Sequence, residues 1–219
     1  GFNVYRDGKK VNEAPMDSAR FTDNVPDYAD YIYTVTAVHQ NGQESAQSEP
    51  LKVTVPDIRL LPFEDDFDDW TLHADKWTTV NLDNNKESKW SIDYYEYGLV
   101  DPSATYSWSA LTNYNQALES RELNTPNKDN TYLRFNLRLR NSEQTNVDYM
   151  EVELSCDGGK TWEGLDVFDN YSGGFDWTTY TYPIGEYLSN NLFKIRFRAH
   201  GDDAKWINYW YVDDVKVWN

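Results

Sequence analysis

Cysteine is nearly absent from this chain: Cys156 is the only one among 219 residues. A single thiol closes no intrachain disulfide and builds no cysteine zinc site. That scarcity suits a bacterial surface protein and a cytosolic one alike. Long apolar runs are also missing, and nothing approaches the ~20 residues that cross a bilayer as a helix. No export signal precedes the first strand, but the segment starts at Gly1, so this says nothing about secretion. Histidine is scarce, with only His39, His73 and His200, none of them near a nucleophile motif. No G-x-S-x-G, H-E-x-x-H or phosphate-loop pattern occurs. Basic charge is short as well: 20 Lys and Arg face 37 Asp and Glu, for a net charge of −17. Residues 1–56 carry −3 of this and the remainder −14. An acidic surface argues against nucleic acid and anionic membrane as partners. It suits calcium, whose ligands are carboxylate and carbonyl oxygens, and it equally serves solubility.

Aromatic residues are abundant, at 16% with 17 Tyr and 9 Trp. They supply buried area where aliphatic residues are modest in number. The dominant period is two. "YIYTVTAV" (31–38) and "LKVTV" (51–55) alternate. "YLRFNLRLR" (132–140) turns Leu133, Phe135, Leu137 and Leu139 inward and Arg134, Asn136, Arg138 and Arg140 outward. "MEVEL" (150–154) buries Val152 and Leu154; "FKIRFRAH" (193–200) buries Phe193, Ile195 and Phe197. No stretch has a helical period, apart from a short turn expected near "ALESREL" (117–123). These patterns predict an all-β chain. Pro56 and Pro62 bracket "VPDIRLLP", and proline cannot pair inside a sheet. We therefore place a first module at 1–56, a linker at 57–61 and a second domain at 62–219, with a β-sandwich expected in the last.

Four stretches could carry chemistry. "SCDGGKTW" (155–162) fits S-x-D-x-G-x-T-W. Asp157 can accept turn N–H groups, Gly158 and Gly159 permit positive φ, and Trp162 folds back as a lid. We read Asp157, Gly159 and Trp162 as a structural turn. "FEDDFDDW" (63–70) and "YVDDVKVW" (211–218) lie at opposite ends of the second domain. In a closed sandwich the first and last strands are neighbours, and two acidic clusters brought together repel unless a cation separates them. Counting by two from Val215 and Val217 turns Asp213 inward. The expectation is structural calcium on Asp213 with Glu64, Asp66, Asp68 or Asp214; the alternative is an acidic solvated edge with Asp213 pairing an arginine or bulging outward. Asn81, Asp83 and Asn85 have calcium-loop spacing but lack the glycine and distal glutamate of an EF-hand, which favours a polar turn. Finally, outward Arg134, Arg138, Arg140, Lys194, Arg196 and Arg198 form basic stripes, and Glu151 and Glu153 follow the first of them. Were those strands neighbours, cross-strand ion pairs would form. A polar groove gripping an acidic or sugar ligand is the other reading.

Rings in loops can stack on sugars or anchor proteins. The candidates are Tyr95, Tyr97, Trp108 and Trp206.

Two resemblances rest on these residues. Phe2–Lys9, Phe21–Asn24 and Tyr31–Val55 resemble the second half of a fibronectin type III module, an immunoglobulin-like β module whose opening strands are not in this stretch. Residues 62–219 resemble the cleaved-adhesin type of jelly roll, related to MAM domains, of Bacteroidetes surface proteins. The carrying residues are "DFDDW", Trp77 and Trp90, "YMEVELSCDGGKTW", "FDWTTYTYPIGEYL", "FKIRFRA" and "YVDDVKV". The resemblance implies a calcium-stabilised, non-catalytic module on a bacterial cell surface or outside the cell. It would bind a host or neighbouring-cell protein or a glycan. The alternative is a carbohydrate-binding module appended to a secreted hydrolase or protease.

Overall fold

The computed structural model describes residues 1–25, 29–55, 58–83, 87–93, 102–107 and 112–219. The chain divides into two compact units, Gly1–Asp57 and Ile58–Asn219. In the first, β1 (Phe2–Arg6), β2 (Lys9–Lys10), β3 (Asp30–Ala37) and β4 (Leu51–Thr54) form an antiparallel sheet in the order β2-β1-β3-β4. Asp7 and Gly8, both at positive φ, make the two-residue β1–β2 turn that matches strand twist. Polar ties do much of the holding in this unit. Glu44 accepts from Asn3 at 2.7 Å, Tyr5 at 2.6 Å and Thr36 at 2.6 Å.

The second unit contains β5 (Ile58–Leu60), β6 (Phe63–Asp65), β7 (Trp77–Asn81), β8 (Trp90–Asp93), β9 (Ser103–Ser107), β10 (Thr112–Ser120) and β11 (Glu122–Asn124). It continues with β12 (Tyr132–Asn141), β13 (Asp148–Ser155), β14 (Glu163–Asp169), β15 (Phe175–Pro183), β16 (Leu192–Asp203) and β17 (Ile207–Trp218). One sheet runs β14-β13-β16-β10-β7, with β11 and β5 attached through β16; the other runs β15-β12-β17-β9-β8, with β6 attached to β17. The chain crosses between the two sheets repeatedly, interrupted by the β8–β9 and β13–β14 hairpins, and the result is an all-β jelly-roll sandwich. Among the described residues helix is confined to the 3-10 turns Lys128–Asn130, Gly185–Tyr187 and Ala204–Trp206.

Within the stretch expected as a linker, residues 58–60 form β5, which pairs in parallel with β11. The turn expected near 117–123 needs correction, because residues 117–120 and 122–123 are strand: Ala117, Leu118 and Leu123 are buried in the sheet, and burial overrides their helical preference. The stretch from Asn81 to Asp83 serves the fold, since Asp83 accepts from the Asn115 N–H at 2.9 Å and Gln116 at 3.3 Å; Asn85 lies outside the described residues.

Between the sheets lies an aromatic core. The buried Phe135 ring meets Phe197 edge-on at 5.1 Å and Phe168 at 6.3 Å, and stacks on Tyr180 at 5.6 Å and Tyr182 at 6.0 Å. Trp77 joins Phe63, Phe67 and Phe197, while Tyr106 stacks on Tyr114 at 5.4 Å. Because Phe135 touches rings from both sheets, Phe135→Ala should cost the second unit ~3–5 kcal/mol. Exposed Ile32→Ala should cost under ~0.5 kcal/mol. Urea unfolding of both variants checks this; equal costs would remove Phe135 from the centre of the packing.

Candidate functional site

The ends of the second unit meet. Residues 63–65 of β6 pair antiparallel with residues 215–217 of β17. An open pocket of about 350 Å³ beside them is lined by Glu64, Asp65, Asp66, Asp214, Lys76, Arg134, Val215 and Lys216. The inward acid is not Asp213. On β12 the residues Arg134 and Asn136 face Lys216 and Asp213, so β17 carries one extra residue there. Asp214 takes it up at φ 49°, forming a bulge. The extra residue resets the alternation: Val212, Val215 and Val217 enter the core and Asp213 stands outside. Asp65 points inward instead, buried between Phe63 and Phe67, accepting from Trp77 Nε1 at 2.8 Å and facing Lys76 Nζ at 3.2 Å. Lys216 pairs with Glu64, and Lys76 also donates to the Glu64 carbonyl at 2.9 Å. Asp214 accepts from Asn136 at 2.6 Å. Asp68 is exposed in the following turn and does not line the pocket. Two ammonium groups therefore stand where a cation balances these carboxylates. The donors are hard oxygens, as calcium requires. Among the described residues, however, no three His, Cys, Asp or Glu side chains are already gathered to hold a metal.

The 155–162 hairpin is built on its aspartate. Asp157 Oδ1 accepts from Ser155 Oγ at 2.8 Å, Lys160 N at 3.0 Å and Thr161 N at 2.9 Å; Oδ2 accepts from Thr161 Oγ1 at 2.6 Å. Gly158 and Gly159 sit at φ 77° and 91°. Trp162 donates to the Gly159 carbonyl at 3.1 Å, and its ring lies 4.1 Å from the Arg196 guanidinium carbon. The lid therefore covers a charge network as well as its own turn. Glu153 accepts from Arg196 at 2.6 Å and Arg198 at 2.8 Å, Glu151 pairs with Arg198, and Glu119 lies 3.5 Å from Arg196 and 3.6 Å from Lys194. These pairs join β10, β16 and β13. The cross-strand ion pairs expected of neighbouring strands form with the second basic stripe, Arg196 and Arg198 on β16, and not with the β12 arginines, because β12 belongs to the other sheet.

That other sheet carries rings on its outer face. Trp177 on β15 lies 5.9 Å from Tyr211, which lies 5.4 Å from Tyr209, both on β17. Arg138 on β12 sits 5.9 Å above the Tyr211 ring and 3.5 Å from Asp176. Tyr211 is buried beneath this set, and burial is the main cause that pushes its phenol up to about 12. Trp177 is exposed, so a braced indole is offered to solvent. Sequence reasoning missed this trio. Tyr209 and Tyr211 lie within "WINYWY", but their match to Trp177 depends on β12 lying between β15 and β17. Trp206, the ring chosen from that stretch, is half-buried in a 3-10 turn with Lys205 Nζ 4.3 Å from its ring centre. Tyr95, Tyr97 and Trp108 lie outside the described residues.

Comparisons with known proteins follow the same division. The model of Reelin subrepeat B matches residues 105–217, just over half of the chain. The model of the β-sheet domain of rhamnogalacturonan I lyases matches residues 1–54. No curated protein matches the chain. Among solved structures, the K3 cleaved adhesin domain of Lys-gingipain from Porphyromonas gingivalis is similar at 15% identity and TM-score 0.52, covering 71% of this chain and 96% of that one. The K1 domain from the same organism follows at 14% and 0.50, covering 72% and 98%. These likenesses describe the fold. No helix among the described residues is long and apolar enough to cross a membrane.

The bonds at Asp157, that from the Thr161 hydroxyl first, hold its carboxyl well below the usual carboxylate range. A lowered folded pKa contributes stability that is complete above the unfolded value of ~3.9 and drains away as pH falls toward the folded one. Asp157→Asn should therefore melt below wild type at pH 7, with the gap narrowing between pH ~4 and ~2. A gap independent of pH in thermal melts would deny the carboxylate this role.

Proposed function

The chain belongs to the Reelin subrepeat B family, and from that premise we propose that it is a non-catalytic, extracellular or cell-surface binding module. Its ligand, a glycan or a protein, lies on the outer face of the six-stranded sheet. The observation that carries this reading is the braced, exposed Trp177 with Tyr211, Tyr209 and Arg138 behind it. Trp, Tyr and Arg are the residues that concentrate binding energy at interfaces. An indole held from below presents its surface with little entropy left to lose on binding. Polar groups flank it, among them Asn136 and Thr179, which bond to each other at 2.7 Å. Rings set among hydroxyl and amide groups suit a sugar, which offers apolar faces and equatorial hydroxyls together. The match of residues 1–54 to a domain of lyases named for rhamnogalacturonan I favours the same ligand class. The fibronectin-like reading of residues 1–56 stays a proposal, since the family model matched there is that of the rhamnogalacturonan I lyase β-sheet domain. Glu151 and Glu153, the strand carboxylates a glycosidase would need, are bonded to arginine.

A second part of the reading concerns calcium. The pocket of Glu64, Asp65, Asp66 and Asp214 is balanced by lysines whose side chains are partly exposed and can swing away. Ca²⁺ would take their place there, with Asp65 in the position first assigned to Asp213.

Two outcomes are expected. On a glycan array run beside a panel of matrix proteins, the chain retains a saccharide, and Trp177→Ala weakens it about 30-fold, the ~2 kcal/mol of a central aromatic anchor. Retention of matrix protein alone would reassign the ligand, and an unaffected variant would move the site elsewhere. In thermal melts, calcium raises Tm over EDTA, at ~2–4 °C per kcal/mol of binding-linked stability. Identical curves, with no metal by elemental analysis, would leave the pocket to its own lysine and arginine side chains.

A further inference from the structure

The pairing of β15 with β12 slips by one residue beside the exposed indole. Leu137 faces Thr178 and Leu139 faces Phe175, so Arg138 alone stands opposite both Asp176 and Trp177. β15 is the last strand of its sheet, and the extra residue makes a bulge on that edge. In a regular strand neighbouring side chains point to opposite faces. Asp176 and Trp177 instead share the outer one: Asp176 meets Arg138 there, and Trp177 meets Tyr211. Phe175 before them and Tyr180 after them still pack against the core. Bulges of this kind re-aim a side chain, and they are over-represented beside active sites. Here the bulge sets a carboxylate next to an aromatic surface.

The carboxylate is oriented as well as placed. Oδ1 accepts from the Trp177 N–H at 2.9 Å and lies 3.5 Å from Arg138 Nε. Arg138 is itself held 5.9 Å above the Tyr211 ring. Both contacts fall on the same oxygen, and the Asp176 side chain is otherwise 85% exposed, so Oδ2 faces solvent beside the indole. Thr179, next along the outer face, gives its hydroxyl proton to Asn136 at 2.7 Å and has only lone pairs left to offer. The polar groups beside the ring are therefore acceptors awaiting protons.

We propose that the Asp176–Trp177 bulge is a subsite for one uncharged pyranose, stacked on the indole with a hydroxyl donating to Asp176 Oδ2. This rests on the reading of the outer face as a glycan-binding surface and names the class of sugar that it selects. Charge argues for that class. Arg138 and Asp176 offset each other, so the pair as a whole attracts neither sign. A cationic ligand would have to displace Arg138, which already pairs with the carboxylate and covers the Tyr211 ring. An acidic sugar would bring its own carboxylate against Asp176, in a chain whose net charge is −17. A neutral sugar supplies what is left to be matched, C–H groups for the ring and hydroxyl protons for the acceptors. Asp176 is then a specificity-determining residue, and the extra residue of β15 is what lets it act beside Trp177.

The test is an NMR titration of the whole chain with matched sugars. The probes are methyl glycosides of glucose, galactose and mannose, each beside its uronate, with methyl glucosaminide as the cationic arm. At least one neutral glycoside should bind, and its uronate about tenfold more weakly. Asp176→Asn keeps an acceptor for the Trp177 N–H but loses the charge. It should weaken the neutral sugar about tenfold and bring the neutral-to-uronate ratio close to one. Asp176→Ser should do the same, and melting temperatures show that the variants compared are folded. A residue that served the fold alone would leave that ratio where it was. Trp177→Ala should weaken neutral sugar and uronate alike. Tighter binding of the uronate or the glucosaminide, or an unchanged ratio in the folded Asp176 variants, would overturn the proposal while a loss in Trp177→Ala kept the outer face as the site. Binding of no sugar at all would overturn both.

Discussion

Everything in the second unit depends on the parity of β17. This strand is shared by β12, β9 and β6, so its side chains must satisfy three neighbours at once. Inward positions must be apolar, since the facing rings leave no room for an unpaired charge. Two consecutive aspartates in such a strand would force one of them into the core. The bulge at Asp214 removes that conflict with a single extra residue. A second register shift, near Asn208, does the same between Ile207 and Trp210, both of which are buried. The outward set that results, Tyr209, Tyr211 and Asp213, is what places rings on the candidate binding face.

Charge is handled by pairing at short range rather than by dispersion. A net charge of −17 strains a compact chain. Several acids within the sheets meet basic partners: Glu119, Glu151 and Glu153 on one, Glu64 on the other. The hairpin around Asp157 contributes to the same economy. By fixing Trp162 over Arg196 it screens the Glu153–Arg196 pair from water, where an exposed pair is worth little. Local turn chemistry and long-range electrostatics are thus tied through one indole.

How much of this was legible follows from the range of each interaction. The inward sets of β12, β13 and β16 could be read residue by residue, because period two is local. The hairpin could be read as well, since its bonds span no more than four residues. Asp213 was misplaced because a bulge leaves the composition of a strand untouched while reversing every position before it. Which of the two basic stripes the ion-pair ladder would use could not be read, because β12 and β13 are consecutive in sequence but lie in different sheets, while β16 is the neighbour of β13. Trp177 escaped notice for a related reason: it matters only beside residues 209 and 211, and strand order alone brings them together.

The entering chain has a mechanical role. Residues 58–60 are stitched to one layer through β11, and residues 63–65 to the other through β17. A single short segment therefore rivets both layers together. The antiparallel alignment puts Phe63 opposite Val217, so the polypeptide enters and leaves β6 and β17 at the same end of their sheet. Tension applied at the two ends would open that pair one bond at a time, as a zipper opens, instead of shearing all its bonds together. The parallel clasp of β5 on β11 is loaded first and shields the zipper behind it.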